Sequence, residues 1–264
     1  MQVEHVESED VVVPYWHVQN LWIGEARMQL ARGIRKDLAV QLDVPFRLVR
    51  DRIRFEDLLR RPYTPPVPDV HHRNETLAHF SDASLALQWA RVAAQWTIAA
   101  GAGVSLPIGR TESNPFALGR AGLPHQHIQF GAGTVDPALS LAASRRTGDW
   151  SLTGSASARL TFAQNSHGYR AGDRFGAAIG AARALPRGWA LRGGLEVSRE
   201  EAEKWDGRIE EEGNLGRADL FALLGLSRSL AWGTWSADVR LPVLSHSESS
   251  QVKLPVIVHL GLSR

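Results

Sequence analysis

The sequence predicts an all-β fold, an antiparallel transmembrane β-barrel of about twelve strands, and three observations predict it. Segment after segment alternates apolar and polar residues with a period of two. The connections between these segments alternate between short and long, and tryptophans gather beside the short ones.

The pattern is clearest in residues 85–92 and 96–106, joined by the short link 93–95. Leu85, Leu87 and Trp89 alternate with Ala86, Gln88 and Ala90; Trp96, Ile98, Ala100, Ala102, Val104 and Leu106 alternate with Thr97, Ala99, Gly101, Gly103 and Ser105. A period of two puts each set on one face of a strand, and the link suits a hairpin. In 150–162 the even positions read Trp, Leu, Gly, Ala, Ala, Leu, Phe and the odd ones Ser, Thr, Ser, Ser, Arg, Thr. A helix needs apolar residues at three-and-four spacing, which these segments lack.

Taken in order, residues 1–20 form an N-terminal segment, with a short first strand near Val11–Val13 ended by Pro14. Its polar, acidic opening carries no charged-then-apolar export signal, so the gene start is expected to lie further upstream. Residues 21–264 read as a single barrel domain. Strands fall at 25–31 and 38–48, with a turn at 32–36 in which Gly33 takes positive φ. Residues 51–82 dissolve into a charged, then proline-rich stretch that reads as a long loop. After the 85–106 hairpin come a loop at 110–130 and strands at 136–144, 150–162, 170–184 and 189–198. A charged loop at 200–214 precedes strands at 219–227, 234–243 and 256–263. Pairing by part of 10–20 closes the ring and brings the number to an even twelve or so, as lipid tolerates no open sheet edge.

The totals narrow the function classes. Hydrophobic residues make up 44% of the 264 residues and mean hydropathy is −0.20, which suits a barrel whose greasy and wet faces average out. No apolar run reaches about 18 residues, which excludes a transmembrane helix. Cysteine is absent, so disulfides, thiol catalysis and thiolate metal sites are excluded. A net charge of +2 is too small to argue for nucleic acid as a partner.

Short connections fall at 32–36, 93–95, 145–149, 185–188 and 228–231, and long ones at 50–83, 109–133, 200–216 and 245–253, with 163–169 between the two classes. Outer-membrane barrels have tight periplasmic turns and longer outer loops. Trp89, Trp96, Trp150, Trp189, Trp232 and Trp235 lie near the short turns, where an indole suits the headgroup zone. The face opposite the apolar one carries Glu25, Asp43, Arg47, Arg159, Arg192, Glu196, Asp238 and Arg240, the residues expected to line a lumen. The competing reading is a soluble barrel or sandwich with the apolar face and the tryptophans inside.

From Leu106 to Phe175 a set of short motifs recurs in order: Leu106-Pro-Ile-Gly109, His127, and Gly131-Ala-Gly-Thr-Val-Asp-Pro-Ala-Leu-Ser-Leu141. Gly148-Asp-Trp-Ser-Leu152, Arg159-Leu-Thr-Phe162 and Gly168-Tyr-Arg-Ala-Gly-Asp173 follow. In these the chain resembles the MetA-pathway-of-phenol-degradation family of outer-membrane transporters. The resemblance implies a twelve-strand barrel in the bacterial outer membrane, a transport role and an aromatic or hydrophobic solute. It carries over no catalytic residue. The chain departs from the usual outer-membrane pattern in its last residues, Leu262-Ser-Arg264, which lack an aromatic.

Two constellations bear on chemistry. His71, His72 and His79 share one long loop, His125 and His127 the next, and His167 a third. If the loops converge, His71, His72, His125 and His127 are candidate nitrogen ligands for Zn²⁺ or Cu²⁺. Solvated loop histidines are the favoured alternative, since no carboxylate or cysteine has ligand spacing. His259 with Asp238 and Glu196 suggests a hydrolase inside the barrel, but no serine sits in a nucleophile elbow, so no enzyme and no cofactor are expected. The expected function is passage of a small solute along a polar lumen, with residues 50–83 and 109–133 folding in as a constriction. Outer-membrane lipid and the solute are the expected partners. A non-conducting barrel that binds a periplasmic or extracellular protein, and a soluble barrel that binds a ligand, are the alternatives.

Overall fold

The computed structural model describes residues 1–7, 13–65, 74–211, 213–248 and 251–264. Strand follows strand: β1 (Gln2–Glu7), β2 (Tyr15–Arg35), β3 (Leu38–Glu56), β4 (Glu75–Phe80), β5 (Ala83–Ala93) and β6 (Trp96–Leu106). A short helix α1 (Pro115–Arg120) intervenes before β7 (Pro137–Thr147), β8 (Trp150–Arg159), β9 (Tyr169–Arg170), β10 (Arg174–Ala184) and β11 (Trp189–Glu200). The chain ends with β12 (Lys204–Trp205), β13 (Arg217–Leu230), β14 (Gly233–Ser247), β15 (Gln251–Lys253) and β16 (Ile257–Ser263). Among the described residues, no helix is long and apolar enough to cross a membrane.

Fourteen strands make one sheet in the order β15-β1-β2-β3-β5-β6-β7-β8-β10-β11-β13-β14-β16, with β4 also on β3; β9 and β12 form a separate ribbon. The pairs within it are antiparallel, so strands alternately descend to the short turns and climb back. β4 and β5 pair with the upper and lower halves of β3, at Phe46–Asp51 and Leu38–Asp43, and are two halves of one descending strand. β15 and β16 divide the last descending strand in the same way, one pairing with β1 and the other with β14. Counted so, the described residues form twelve strands of the barrel. The sheet's ends meet at the top, where Gln2–Glu4 pairs with Gln251–Lys253. Beyond Leu21, whose N–H and carbonyl bond Met1, β2 pairs only with β3 among the described residues. An opening of about 1010 Å³ lies there, between Leu21 and Trp22 on one side and Leu254 and Pro255 on the other.

Residue parity decides the two faces. On β8, Trp150 and Leu152 are exposed while Thr153, Ser155 and Ser157 share the opposite face; on β10, Ile179 is 65% exposed. Leu139, Leu141, Leu195 and Leu224 lie on the same outer face and are equally open. This arrangement is the reverse of the soluble alternative, in which these side chains would form an interior core. The inner face from β6 to β11 is built instead from small residues, among them Gly101, Gly103, Ser140, Gly176, Gly180 and Gly194. A Cβ on Gly103 would lie 2.4 Å from the Leu85 carbonyl oxygen and 2.6 Å from Ala86 Cβ, so the curved wall has no room for one.

Several expectations for the N-terminal half are corrected. β2 starts at Tyr15 and runs through residue 20, and the twelfth strand is Gln2–Glu7 rather than part of 10–20; residues 8–12, including two of the expected Val11–Val13 strand, lie outside the described residues. Gly33 is a strand residue beside a register shift, not a positive-φ turn residue. Both ends of 50–83 are strand, because β3 continues its ladder to Glu56 and β4 returns along it. Charge on that stretch concealed its alternation.

The outer face gives a direct stability test. Leu195→Arg, on the outer side of β11, should cost about 2–4 kcal/mol if it sits near the bilayer midplane. Gln88→Arg, on the inner side of β5, should cost less. Folded fraction in lipid vesicles against urea measures both.

Candidate functional site: the inner face and its loop cover

All eight residues expected to line a lumen lie on the face opposite the exposed apolar one. Six of them meet as three pairs. Arg47 of β3 reaches Glu25 of β2 at 3.2 Å, and Arg27 reaches the same carboxylate at 2.7 Å. Arg192 of β11 reaches Asp238 of β14 at 2.8 Å. Arg240 of β14 pairs with Glu196 of β11 and lays its guanidinium 4.6 Å from the Phe221 ring centre. The last two pairs span the strand between them. The Arg192–Asp238 pair passes over β13 where Gly225 leaves space: a Cβ there would lie 2.0 Å from Asp238 Oδ1. Asp43 accepts from Gln41 Nε2 at 2.7 Å.

Arg159, at the top of β8, belongs to a different cluster. Its guanidinium lies 2.8 Å from Asp136 and 3.5 Å from Asp82. Asp136 is fully buried and also accepts from Thr134 Oγ1 at 2.8 Å. Asp82, in the break between β4 and β5, accepts from the backbone of Gly109 at 3.1 Å and of Ala132 at 2.7 Å. Gly109 and Gly131 are in contact, and a Cβ on Gly131 would lie 2.3 Å from Asp82 Oδ1. The glycines of Leu106-Pro-Ile-Gly109 and Gly131-Ala-Gly133 are therefore the two ends of one loop, clamped to one carboxylate.

That clamp aims the loop inward. Phe130 is buried against Leu21 of β2 and Val49 of β3, with Ile128 and Leu77 packed alongside. Leu21 and Val49 share the parity of Glu25 and Arg47, so the loop lies on the inner face. Below it, a recess of about 180 Å³ is lined by Glu25, Arg27, Arg47, Arg159, Tyr169 and Arg174, among others. A second space of about 310 Å³ sits among Ser155, Ala178, Gly180, Gly194 and the Arg192–Asp238 pair.

Three loops form a cover above. Phe116 of α1, Tyr169 of β9 and Trp205 of β12 make a buried aromatic cluster. Asn114 caps α1 through Phe116 N and Ala117 N and donates to Asp206 Oδ2 at 2.7 Å, tying the helix to the β12 turn. Glu203 accepts from Trp205 Nε1 at 3.1 Å. Desolvation outweighs that bond and holds its carboxyl above the ordinary carboxylate range.

Of the candidate metal ligands, His71 and His72 lie outside the described residues. His125 and His127 have ring centres 5.1 Å apart, but His125 Nδ1 bonds the Leu123 carbonyl at 2.9 Å and His127 packs edge-on to Phe116. Among the described residues no group of three or more His, Asp or Glu side chains is placed to hold a metal ion. His259 stands opposite Asp238 in the β14–β16 register, but Asp238 and Glu196 are each held by an arginine.

Asp82, Asp136, Phe130 and the aromatic cluster were not singled out from the sequence. Asp136-Pro137 at a strand start was the available sign; the others sit in loops with no periodicity.

Comparison with known proteins accords with this geometry at the level of fold. The chain is similar to the crystal structure of the COG4313 outer membrane channel from Pseudomonas putida F1, with a TM-score of 0.60 and 12% identity over 99% of this chain and 91% of that one. OmpT, an outer membrane protein of Vibrio cholerae, matches with a TM-score of 0.42 and 11% identity over 94% of this chain and 90% of that one. No family model and no curated protein matches the sequence. The first likeness shows a shared barrel fold.

Two outcomes test the site. Arg159→Ala leaves Asp136 buried without its cation and should destabilise the protein by about 3–5 kcal/mol, with protease cleavage appearing first within 107–136. Glu203 contributes to the cover fully below the ordinary glutamate pKa of about 4.3 and loses that contribution as pH rises through its raised value. Trp205 emission should therefore shift red with rising pH, and Glu203→Gln should flatten the response.

Proposed function

We propose that the chain is a bacterial outer-membrane channel for a small solute, related to the phenol-degradation transporters that its motifs resemble. The observation that carries this reading is the division of the inner face. Its wall from β6 to β10 is small and hydroxyl-rich and leaves free space. Charged residues stand in pairs on the flanking strands rather than filling that space. Paired charges shape the field along a path without blocking it. The loop from Pro107 to Asp136, held by Asp82 and Arg159, narrows the path from above. Outer-membrane lipid and a small solute, aromatic or hydrophobic by resemblance, are the partners. The residues have no catalytic part in this scheme.

The aromatic cover favours a second reading, a barrel that does not conduct and binds a protein through its loops. Planar-bilayer recording separates the two. The channel reading expects discrete steps, lower conductance for Gly180→Leu and higher conductance when Phe130→Ala removes the loop's inner anchor. A silent barrel in wild type and Phe130→Ala alike would refute it.

A further inference from the structure

The outer face carries a feature at its short-turn end that neither folding nor passage of solute uses. Each of the five descending strands that lead into a short turn places at least one exposed arginine there, among them Arg32, Arg91, Arg145, Arg183 and Arg228. Parity puts all five on the outer, apolar face. Three stand directly across from a tryptophan on the neighbouring climbing strand, in the register pairs Trp96↔Arg145, Trp150↔Arg183 and Trp189↔Arg228. Their guanidiniums lie over those indoles at 5.7, 5.6 and 5.1 Å from the ring centres. None of the five makes an ion pair with a carboxylate among the described residues, whereas seven of the eight inner-face charges named above do. Arg145 has only a polar contact, to Gln95 Oε1 at 3.4 Å.

An arginine on a lipid-facing surface without a protein counter-ion must find an anion at the same depth. Indoles set that depth at the headgroup zone. Guanidinium binds phosphate oxygens two at a time, and stacking on an indole presents its edge in a fixed direction. Short turns face the periplasm in barrels of this class, so the leaflet in reach is phospholipid. From this charge complementarity we infer that the five arginines and their tryptophans form a collar that binds the headgroups of anionic phospholipid in the inner leaflet. The inference rests on the outer-membrane reading but not on conduction.

The test uses the full chain in an uncharged maltoside detergent, with phosphatidylglycerol or phosphatidylcholine added and retained lipid counted by native mass spectrometry. Wild type should retain phosphatidylglycerol preferentially, and the preference should fade with salt. At about fivefold in affinity per arginine, R145Q/R183Q/R228Q should weaken phosphatidylglycerol binding about a hundredfold and leave phosphatidylcholine unchanged. The triple lysine variant should keep most of the preference. Equal retention of the two lipids by wild type, or an unchanged preference in the glutamine variant, overturns the collar. Should the glutamine variant not fold, a salt-independent preference in wild type overturns it equally. A chain that stays soluble without detergent defeats the membrane reading; a detergent-bound barrel indifferent to lipid charge defeats the collar alone.

Discussion

The structure depends on one constraint: backbone N–H and C=O groups that meet hydrocarbon have no water to bond and must bond one another. The antiparallel ladder does this from β1 round to β16, with Tyr15–Arg35 and Leu38–Glu56 as its longest hairpin; the seam between β16 and β2 beyond Leu21 is left without ladder pairs among the described residues. Once the ladder is fixed, side chains can only alternate. Every odd residue of β8 faces one side and every even residue the other, which gives leucines to lipid and serines to the interior.

The remaining features follow from that division. Charges on the inner face stand close to one another, and Arg47, Arg192 and Arg240 each hold a carboxylate on a strand nearby. Gly225 leaves the gap beneath Arg192 and Asp238, while the Arg240–Glu196 pair crosses the same strand over the Phe221 ring. Irregular backbone near the barrel mouth must likewise be bonded, and Asp82 serves Gly109 N and Ala132 N for that reason. The hydrophobic packing collects where loops cross the inner face, at Phe130 and at Trp205, rather than in a central core.

How much of this was legible in the sequence follows from the same physics. Alternation writes itself plainly where one face is greasy, so β5, β6, β8 and β14 could be read residue by residue, and with them the face of Arg159, Asp238 and Arg240. It fades where a strand rises beyond the lipid and both faces meet polar surroundings. The upper ends of β2 and β3, at Tyr15–Asn20 and Arg50–Glu56, were missed on that account. Period two says which face a charge takes but not which partner it meets, so the pairing of Arg192 with Asp238 across an intervening strand required the register of three strands. The loop clamp was least legible, since Asp82 and Gly131 come together through tertiary placement alone.

The most direct test uses the absence of cysteine from the chain. Single cysteines placed in turn along β8, from Ser151→Cys to Ser157→Cys, can be challenged in intact outer membranes with a charged, water-borne maleimide. The account predicts modification at 151, 153, 155 and 157 and protection at 152, 154 and 156, where the side chain faces lipid. Uniform modification, or protection of the odd positions with modification of the even ones, would contradict it.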